Sequence, residues 1–327
     1  MSTAFRIATR LFGPLFAALA LPAAAQPAYP ERTIQLVVTT AAGGALDLVA
    51  RTVAERLSES LLQPVVIENQ PAANGSVAAG QFVKAEPDGY KLMMVVDSTV
   101  TINPSLYKNL SYDAFRDFAP VSLVTRLPLV LIGNLNVKAS NLKELIESAK
   151  ANPGKLNYAS TGVGTQLHIG MELFKLMSGT NIVHVPYRAT TGAMTDLLGG
   201  SIDLVLIGLS SAKGQIEGGK LKAFAIAAPH RSRLLPEVPS ADEAGLPGYD
   251  VQSWFGMFAP AKTPPQIISK LAQEIKAASK HPKFIAALEP QGMQIVASSP
   301  AEMAEAMREG ARKWGDVIRQ TGVTINP

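Results

Sequence analysis

The hydrophobic pattern changes its period repeatedly along the chain. A short β-branched run at residues 34–39 ends in Ala41-Ala42-Gly43-Gly44. After it, Leu46, Val49, Ala50, Val53, Leu57 and Leu61 share one face of a helix. Residues 65–68 predict a second strand, 75–85 a helix and 91–96 a third strand. A long apolar run at 121–132 is broken by Pro128. The alternation then starts again. Residues 142–151 predict a helix, stopped by Pro153-Gly154, and 157–160 a strand that opens onto a Gly-rich loop at 161–165. The next helix carries Leu167, Gly170, Met171, Phe174 and Met177 on one face. Strands follow at 182–185, 204–207 and 223–227. From Pro264 the pattern is helical, at 265–279, 282–288 and 300–320. No tandem repeat or low-complexity linker interrupts this order.

Alternating strands and helices predict an α/β protein whose sheets are mostly parallel and flanked by helices. There are two such sets, and each opens with strand, Gly-rich loop, helix. In open α/β sheets ligands bind beyond the carboxyl ends of the strands. Two lobes facing each other would therefore put the two Gly-rich loops on opposite walls of one cleft.

The first loop is Thr40-Ala41-Ala42-Gly43-Gly44, with Asp47 in the first turn of the helix behind it. Glycine lets a ligand approach the backbone, and a helix N-terminus offers unpaired N–H donors. The helix dipole favours an anion there by about 0.3–2 kcal/mol. The second loop, Ser160-Thr161-Gly162-Val163-Gly164-Thr165, repeats this chemistry with hydroxyls added. Neither loop ends in Gly-Lys-Ser/Thr, and neither completes GxGxxG, so nucleotide binding is not indicated. Asp47 is a candidate for orienting the ligand; as a cap or dipole partner it would have only a local role.

Composition narrows the chemistry. The chain has no cysteine, which removes disulfides, thiolate metal sites and cysteine nucleophiles. Lys plus Arg is 30 and Asp plus Glu is 26, interspersed, with no basic stripe for nucleic acid. His168, His184, His230 and His281 are scattered, so no histidine metal motif forms, and no GxSxG elbow is present. No catalytic residue, metal or cofactor is predicted. His184 reads as structural. His168 begins the second-set helix beside its Gly-rich loop and is a candidate ligand contact. Arg188 follows Tyr187 in a loop and is a candidate carboxylate partner. Asp196 and Asp203 flank Gly199-Gly200; a solvated turn accounts for them, and Asp203 is kept as a candidate contact.

The N-terminus reads as an export signal. Arg6 and Arg10 precede a short apolar stretch at 11–21, and Ala23 and Ala25 fit a small-x-small cleavage site before Gln26. The stretch is shorter than the ~20 apolar residues that span a bilayer. Residues 1–25 are thus expected to be a cleaved signal peptide, and the mature chain to be a periplasmic protein. Removing 25 residues from 327 leaves 302, enough for about two domains held by a core alone.

Longer blocks of sequence carry a family likeness. They begin with YPERTIQLVV (29–38), TAAGGALDLVAR (40–51), PVVIENQPAANG (64–75) and AEPDGYKL (85–92). DFAPVSLV (117–124), KANPGKLNYASTGVGTQLH (150–168) and HVPYR (184–188) follow. DLLGGSIDL (196–204), GGKLKAFAI (218–226), LPEVPSADEAGLPGY (235–249) and WFGMFAPAKTP (254–264) complete the series. In this order and spacing the chain resembles the substrate-binding receptors of tripartite tricarboxylate transporters, the Bug family, over essentially the whole mature length.

The resemblance implies a two-lobed periplasmic binding protein of the Venus flytrap, type II-like, kind. Residues 26–125 and 257–327 would form lobe 1 and 126–256 lobe 2, with crossover strands near 123–133 and 249–259. The C-terminal helices would return to lobe 1. A small carboxylate would be gripped mainly by backbone groups of the two Gly-rich loops. Ala73 and Asn74, Ser98 and Thr99, and Tyr187, Arg188 and Thr191 would add to the pocket. The implied partners are a small organic acid and the membrane permease subunits of a tripartite tricarboxylate-type transporter, with the receptor a monomer. A sensor protein presenting ligand to a membrane kinase, or a periplasmic enzyme on the same fold, are the alternatives.

Overall fold

A computed structural model describes residues 29–325. The expected signal peptide and its cleavage site lie outside the described residues. The first set of elements is β1 (Ile34–Val38), α1 (Ala45–Leu61), β2 (Val65–Asn69), α2 (Ser76–Phe82) and β3 (Lys91–Val96), then the short helices α3 (Ser98–Thr101) and α4 (Asn103–Leu106). β4 (Phe118–Gly133) leads to the second set: α5 (Leu142–Ala151), β5 (Asn157–Ser160), α6 (Gln166–Ser178), β6 (Val183–Pro186), α7 (Thr190–Gly199), β7 (Leu204–Gly208), α8 (Leu209–Glu217) and β8 (Lys222–Ile226). β9 (Gln252–Pro260), α9 (Pro265–Ala278), α10 (Pro282–Leu288), β10 (Gln294–Ile295) and α11 (Pro300–Thr321) close the chain.

The strands form one continuous sheet in the order β2-β1-β3-β9-β4-β7-β5-β6, with β8 and β10 also paired to β4. Each set contributes a parallel trio, β2-β1-β3 and β7-β5-β6. The long strands that join the trios run antiparallel, so the sheet as a whole is mixed. β4 reads as a broken run in sequence because of Pro128, yet it is one strand. From Phe118 to Pro128 it pairs with β9, and from Leu129 to Gly133 with β7 and β8. Pro128 stands where β4 changes partners, a position at which the missing N–H breaks no long ladder. This hand-over lies close to the expected crossovers. β9 pairs with β4 from Gln252 to Pro260 and with β3 from Phe255 to Phe258.

The apolar stripe of α1 is buried from Leu46 to Leu61 and packs with β1, β2, β3 and α9 in one core. In α6, Gly170, Met171 and Phe174 are buried as their spacing predicts, but Met177, in the last turn before Gly179 in the left-handed region, is exposed. α11 opens with a reciprocal Ser299–Glu302 capping box and Pro300. It does more than return to lobe 1. Met303 and Met307 pack with Val95 of β3 and with Trp254 and Phe258 of β9, whereas Trp314, Val317 and Ile318 join the core of Leu129, Phe174 and Tyr249. Each lobe thus has its own core, and the two lobes share β4 and α11.

Candidate functional site

A cavity of about 1230 Å³ opens between the lobes, at the carboxyl ends of β1, β5 and β7. Both Gly-rich loops reach it: Thr40, Ala42, Gly43 and Gly44 from one side, Thr161 and Thr165 from the other. Four helix N-termini converge there, those of α1, α6, α7 and α8. α1, α7 and α8 have no side-chain cap, which leaves their first N–H groups for a ligand. α6 is capped by Thr165, whose hydroxyl accepts from the His168 N–H. Among the described residues, the only charged side chains on the wall are Asp47 and Arg51, and they pair with each other.

Asp47 shapes the first loop. It is 3% exposed. Its Oδ2 accepts from Gly43 N–H and Arg51 Nε, both at 2.9 Å, and its Oδ1 from Asn69 Nδ2 at 2.9 Å. Asn69 also donates to Thr40 O at 3.0 Å, strapping the loop to β2. Burial alone would raise the Asp47 carboxyl; the hydrogen bonds from Arg51, Gly43 and Asn69 outweigh it and hold it below the ordinary carboxylate range. Gly43 has φ +85°, and a Cβ there would meet nothing within 4 Å, so its open side faces the cavity.

Asn74 is a hub under the other edge of the cleft. It lies in the left-handed region at φ 51°. Its Nδ2 donates to Asn103 Oδ1 at 2.8 Å and, across the cleft, to Gly164 O at 3.4 Å. Ser98 Oγ donates to its Oδ1, and Thr99 Oγ1 and Asn103 Nδ2 donate to its carbonyl. Asn74 and Ser98 reach the cavity wall; Thr99 supports Asn74 from behind.

The remaining sequence candidates divide. Thr191, at the start of α7, is on the wall. Ala41, Ala73, Ser160, Gly162, Gly164, His168, Tyr187, Arg188 and Asp203 are not. Ser160 Oγ is committed to His184 Nε2 at 2.7 Å and to the turn at Gly162. His168 is buried; its Nδ1 accepts from Gly164 N–H at 3.1 Å, and its ring stacks on His184 with centroids 4.0 Å apart. Desolvation, and the neighbouring His184, push His168 down to about 4, and desolvation does the same to His184. Both are neutral rings that hold the loop. Tyr187 donates to Asp196 Oδ2 at 2.5 Å. Asp203 sits just before β7, at the end of the strand away from the cavity, where its carboxylate accepts from Asn157 N–H. The expectation that Gly164 opens the backbone to ligand is corrected: its N–H is taken by His168, and a Cβ there would collide with Leu106.

Part of the wall was not anticipated. Leu127, Leu129, Ser253 and Phe255 come from the crossover strands, Ser210, Ser211 and Gln215 from α8, and Gln291 and Met293 from the segment before β10. The α8 contribution had a signal. β7 ends in Gly208 ahead of an uncapped helix, a third strand–Gly–helix turn. Gln291 and Met293, far along the chain, had none. Among the described residues no cluster of three or more His, Asp or Glu side chains is placed to hold a metal, and no helix is long and apolar enough to cross a membrane.

Known proteins share the sequence pattern and the overall fold. The sequence matches the tripartite tricarboxylate transporter family receptor over residues 49–323. It is 34% identical to the protein BugT of Bordetella pertussis over 310 residues, covering 94% of this chain and 95% of BugT. The structure of MatC from Rhodopseudomonas palustris with bound malate superposes with a TM-score of 0.79 at 32% identity, covering 89% of this chain and 100% of MatC. Rpa4515 of R. palustris with adipate superposes with a TM-score of 0.82 at 31% identity, covering 90% of this chain and 99% of that protein.

Proposed function

This chain belongs to the tripartite tricarboxylate transporter receptor family, and from that premise we propose that its cleft captures a small organic acid as the anion and presents it to the membrane subunits of a tripartite transporter. One observation carries this reading. Four helix N-termini meet at a cavity whose only charged wall residues among those described, Asp47 and Arg51, pair with and offset each other. The attraction for an anion then comes from fixed N–H dipoles, and each hydrogen bond to a carboxylate is worth about 1.5–3 kcal/mol. MatC and Rpa4515, similar throughout, hold malate and adipate, which supports an acid of that size.

Family members are substrate-binding receptors, and we read this chain as a receptor rather than an enzyme, working as a monomer in the periplasm. Cleavage after Ala25 would leave Gln26 first. Bound ligand contacts both walls, so it favours the closed arrangement by its extra affinity for that state. Native mass spectrometry of protein purified without refolding identifies the retained acid. Calorimetry then compares that acid with its primary amide. The amide is expected to bind at least about tenfold more weakly, or 1.4 kcal/mol. Equal affinities would refute the anion reading.

A further inference from the structure

Unpartnered polar atoms concentrate on the cleft. Among the described residues, five buried side-chain atoms have no hydrogen-bond partner: Thr39 Oγ1, Thr40 Oγ1, Thr125 Oγ1, and both Nε2 and Oε1 of Gln166. Three of the five belong to Thr40 and Gln166, which stand on the cavity wall from opposite lobes. Gln166 is 4% exposed and is the first residue of α6. A buried amide with neither hydrogen-bonding end paired is rare in a native protein and calls for a partner.

We propose that the Gln166 amide reads a neutral hydrogen-bond donor next to the ligand's carboxylate, so that the preferred ligand is a hydroxy acid rather than a plain acid or an amino acid. This rests on the reading of the cleft as an organic-anion site. Gln166 Nε2 and Thr40 Oγ1 are donors, and any carboxylate satisfies them. Gln166 Oε1 only accepts. A carboxylate has no hydrogen to give it, so a plain acid leaves that oxygen buried and unpaired. An ammonium group would supply the hydrogen but also a charge. Among the described residues the wall's one carboxylate, Asp47, is already committed to Gly43, Arg51 and Asn69. The four helix N-termini present their positive ends to the same space. A hydroxyl gives one hydrogen and no charge. Gln166 starts α6, one of the four helix N-termini at the cavity, and the proposed hydroxyl accordingly lies close to the carboxylate held there.

Isothermal titration of the full mature chain with three matched series tests this: malate, succinate and aspartate; lactate, propionate and alanine; mandelate, phenylacetate and phenylglycine. In at least one series the hydroxy acid should bind at least about tenfold more tightly than both analogues, since a site built for a hydroxyl rejects the analogue without it. Gln166→Leu should bring the hydroxy acid down to the affinity of its plain analogue, and Gln166→Met serves if the leucine variant does not fold. No preference in any series, preference for the amino acid, or a preference that survives the substitution would each overturn the inference. Plain acids binding as well as hydroxy acids would leave the anion reading standing. Binding by none of the nine acids overturns this inference, and the acid–amide comparison on the retained ligand then decides the anion reading separately.

Discussion

Leu106 occupies the space into which a side chain at Gly164 would project. A Cβ built on Gly164 would lie 2.0 Å from Leu106 Cδ2, and Gly164 has φ +80°. The two residues belong to opposite lobes, and Leu106 is buried in the core that includes Tyr158 and Phe174. Gly164 is therefore a contact between lobes. Gly164→Ala is expected to destabilise the protein by about 2–4 kcal/mol, combining the left-handed backbone with overpacking. Leu106→Ala alone should cost about 2–5 kcal/mol. Because truncating the leucine also makes room for the new methyl group, the double variant should be clearly less destabilised than the sum. Urea unfolding of the four proteins measures this, and simple additivity would show that the two positions are not in contact.

Gly43 offers the contrast. It too has positive φ, but its Cβ would enter open space. Gly43→Val should cost only about 1–2 kcal/mol of stability, from the backbone conformation. Its branched side chain would stand among the N–H groups at the start of α1, so affinity for the retained acid should fall at least about tenfold. A folded Gly43→Val protein that binds like the parent would remove this loop from the site.

Asp47 supports the loop from inside. Its carboxylate is the shared acceptor for Gly43, Arg51 and Asn69. Asp47→Asn keeps the shape but turns one acceptor into a donor that faces a donor. A buried group left mismatched costs about 1–3 kcal/mol. Thermal unfolding should show that loss, and calorimetry a weaker affinity with it, because the loop is no longer fixed. Unchanged affinity despite the lower stability would mean that the loop's conformation does not depend on this carboxylate.

How far the sequence led is visible in particular residues. Period and turn chemistry located nearly every strand and the long helices, since Leu46 to Leu61 or Pro300 to Gln320 need only local rules. Both Gly-rich loops meet at one cavity, as the strand–loop–helix repeat implied. What local rules could not carry was direction. His168, Ser160 and Gly164 sit beside the cleft in sequence, yet their polar groups are spent on holding the loop. The wall supplied by Phe255 and Met293 depends on chain segments brought together only by the crossover strands and α11. Gln166 went unremarked because a polar residue at a helix start is ordinarily solvated. Only its burial without partners distinguishes it.

The stacked rings of His168 and His184 make the protein's stability depend on pH in a definite sense. Desolvation leads in holding both at about 4, well below the ordinary 6.5. Between pH 6.5 and 4 the unfolded chain takes up protons that the folded chain refuses. The stability the pair contributes is therefore complete above pH 6.5 and is lost as pH falls toward 4. The loss should amount to about 2 kcal/mol or more. Asp97 works against it. Burial pushes that carboxyl up to about 7, so it gains stability as pH falls over the same range. The parent's own pH profile mixes the two, but a variant separates them. His184→Gln can keep a hydrogen bond to Ser160, removes one titrating ring and takes away the charge repulsion that His168 feels. Its stability, measured by urea unfolding at pH 7 and pH 4.5, should fall by about 1–2 kcal/mol less than the parent's. Parallel profiles for the two proteins would mean that the rings titrate in the folded state as they do in the unfolded chain, and that their stacking does not exclude the proton.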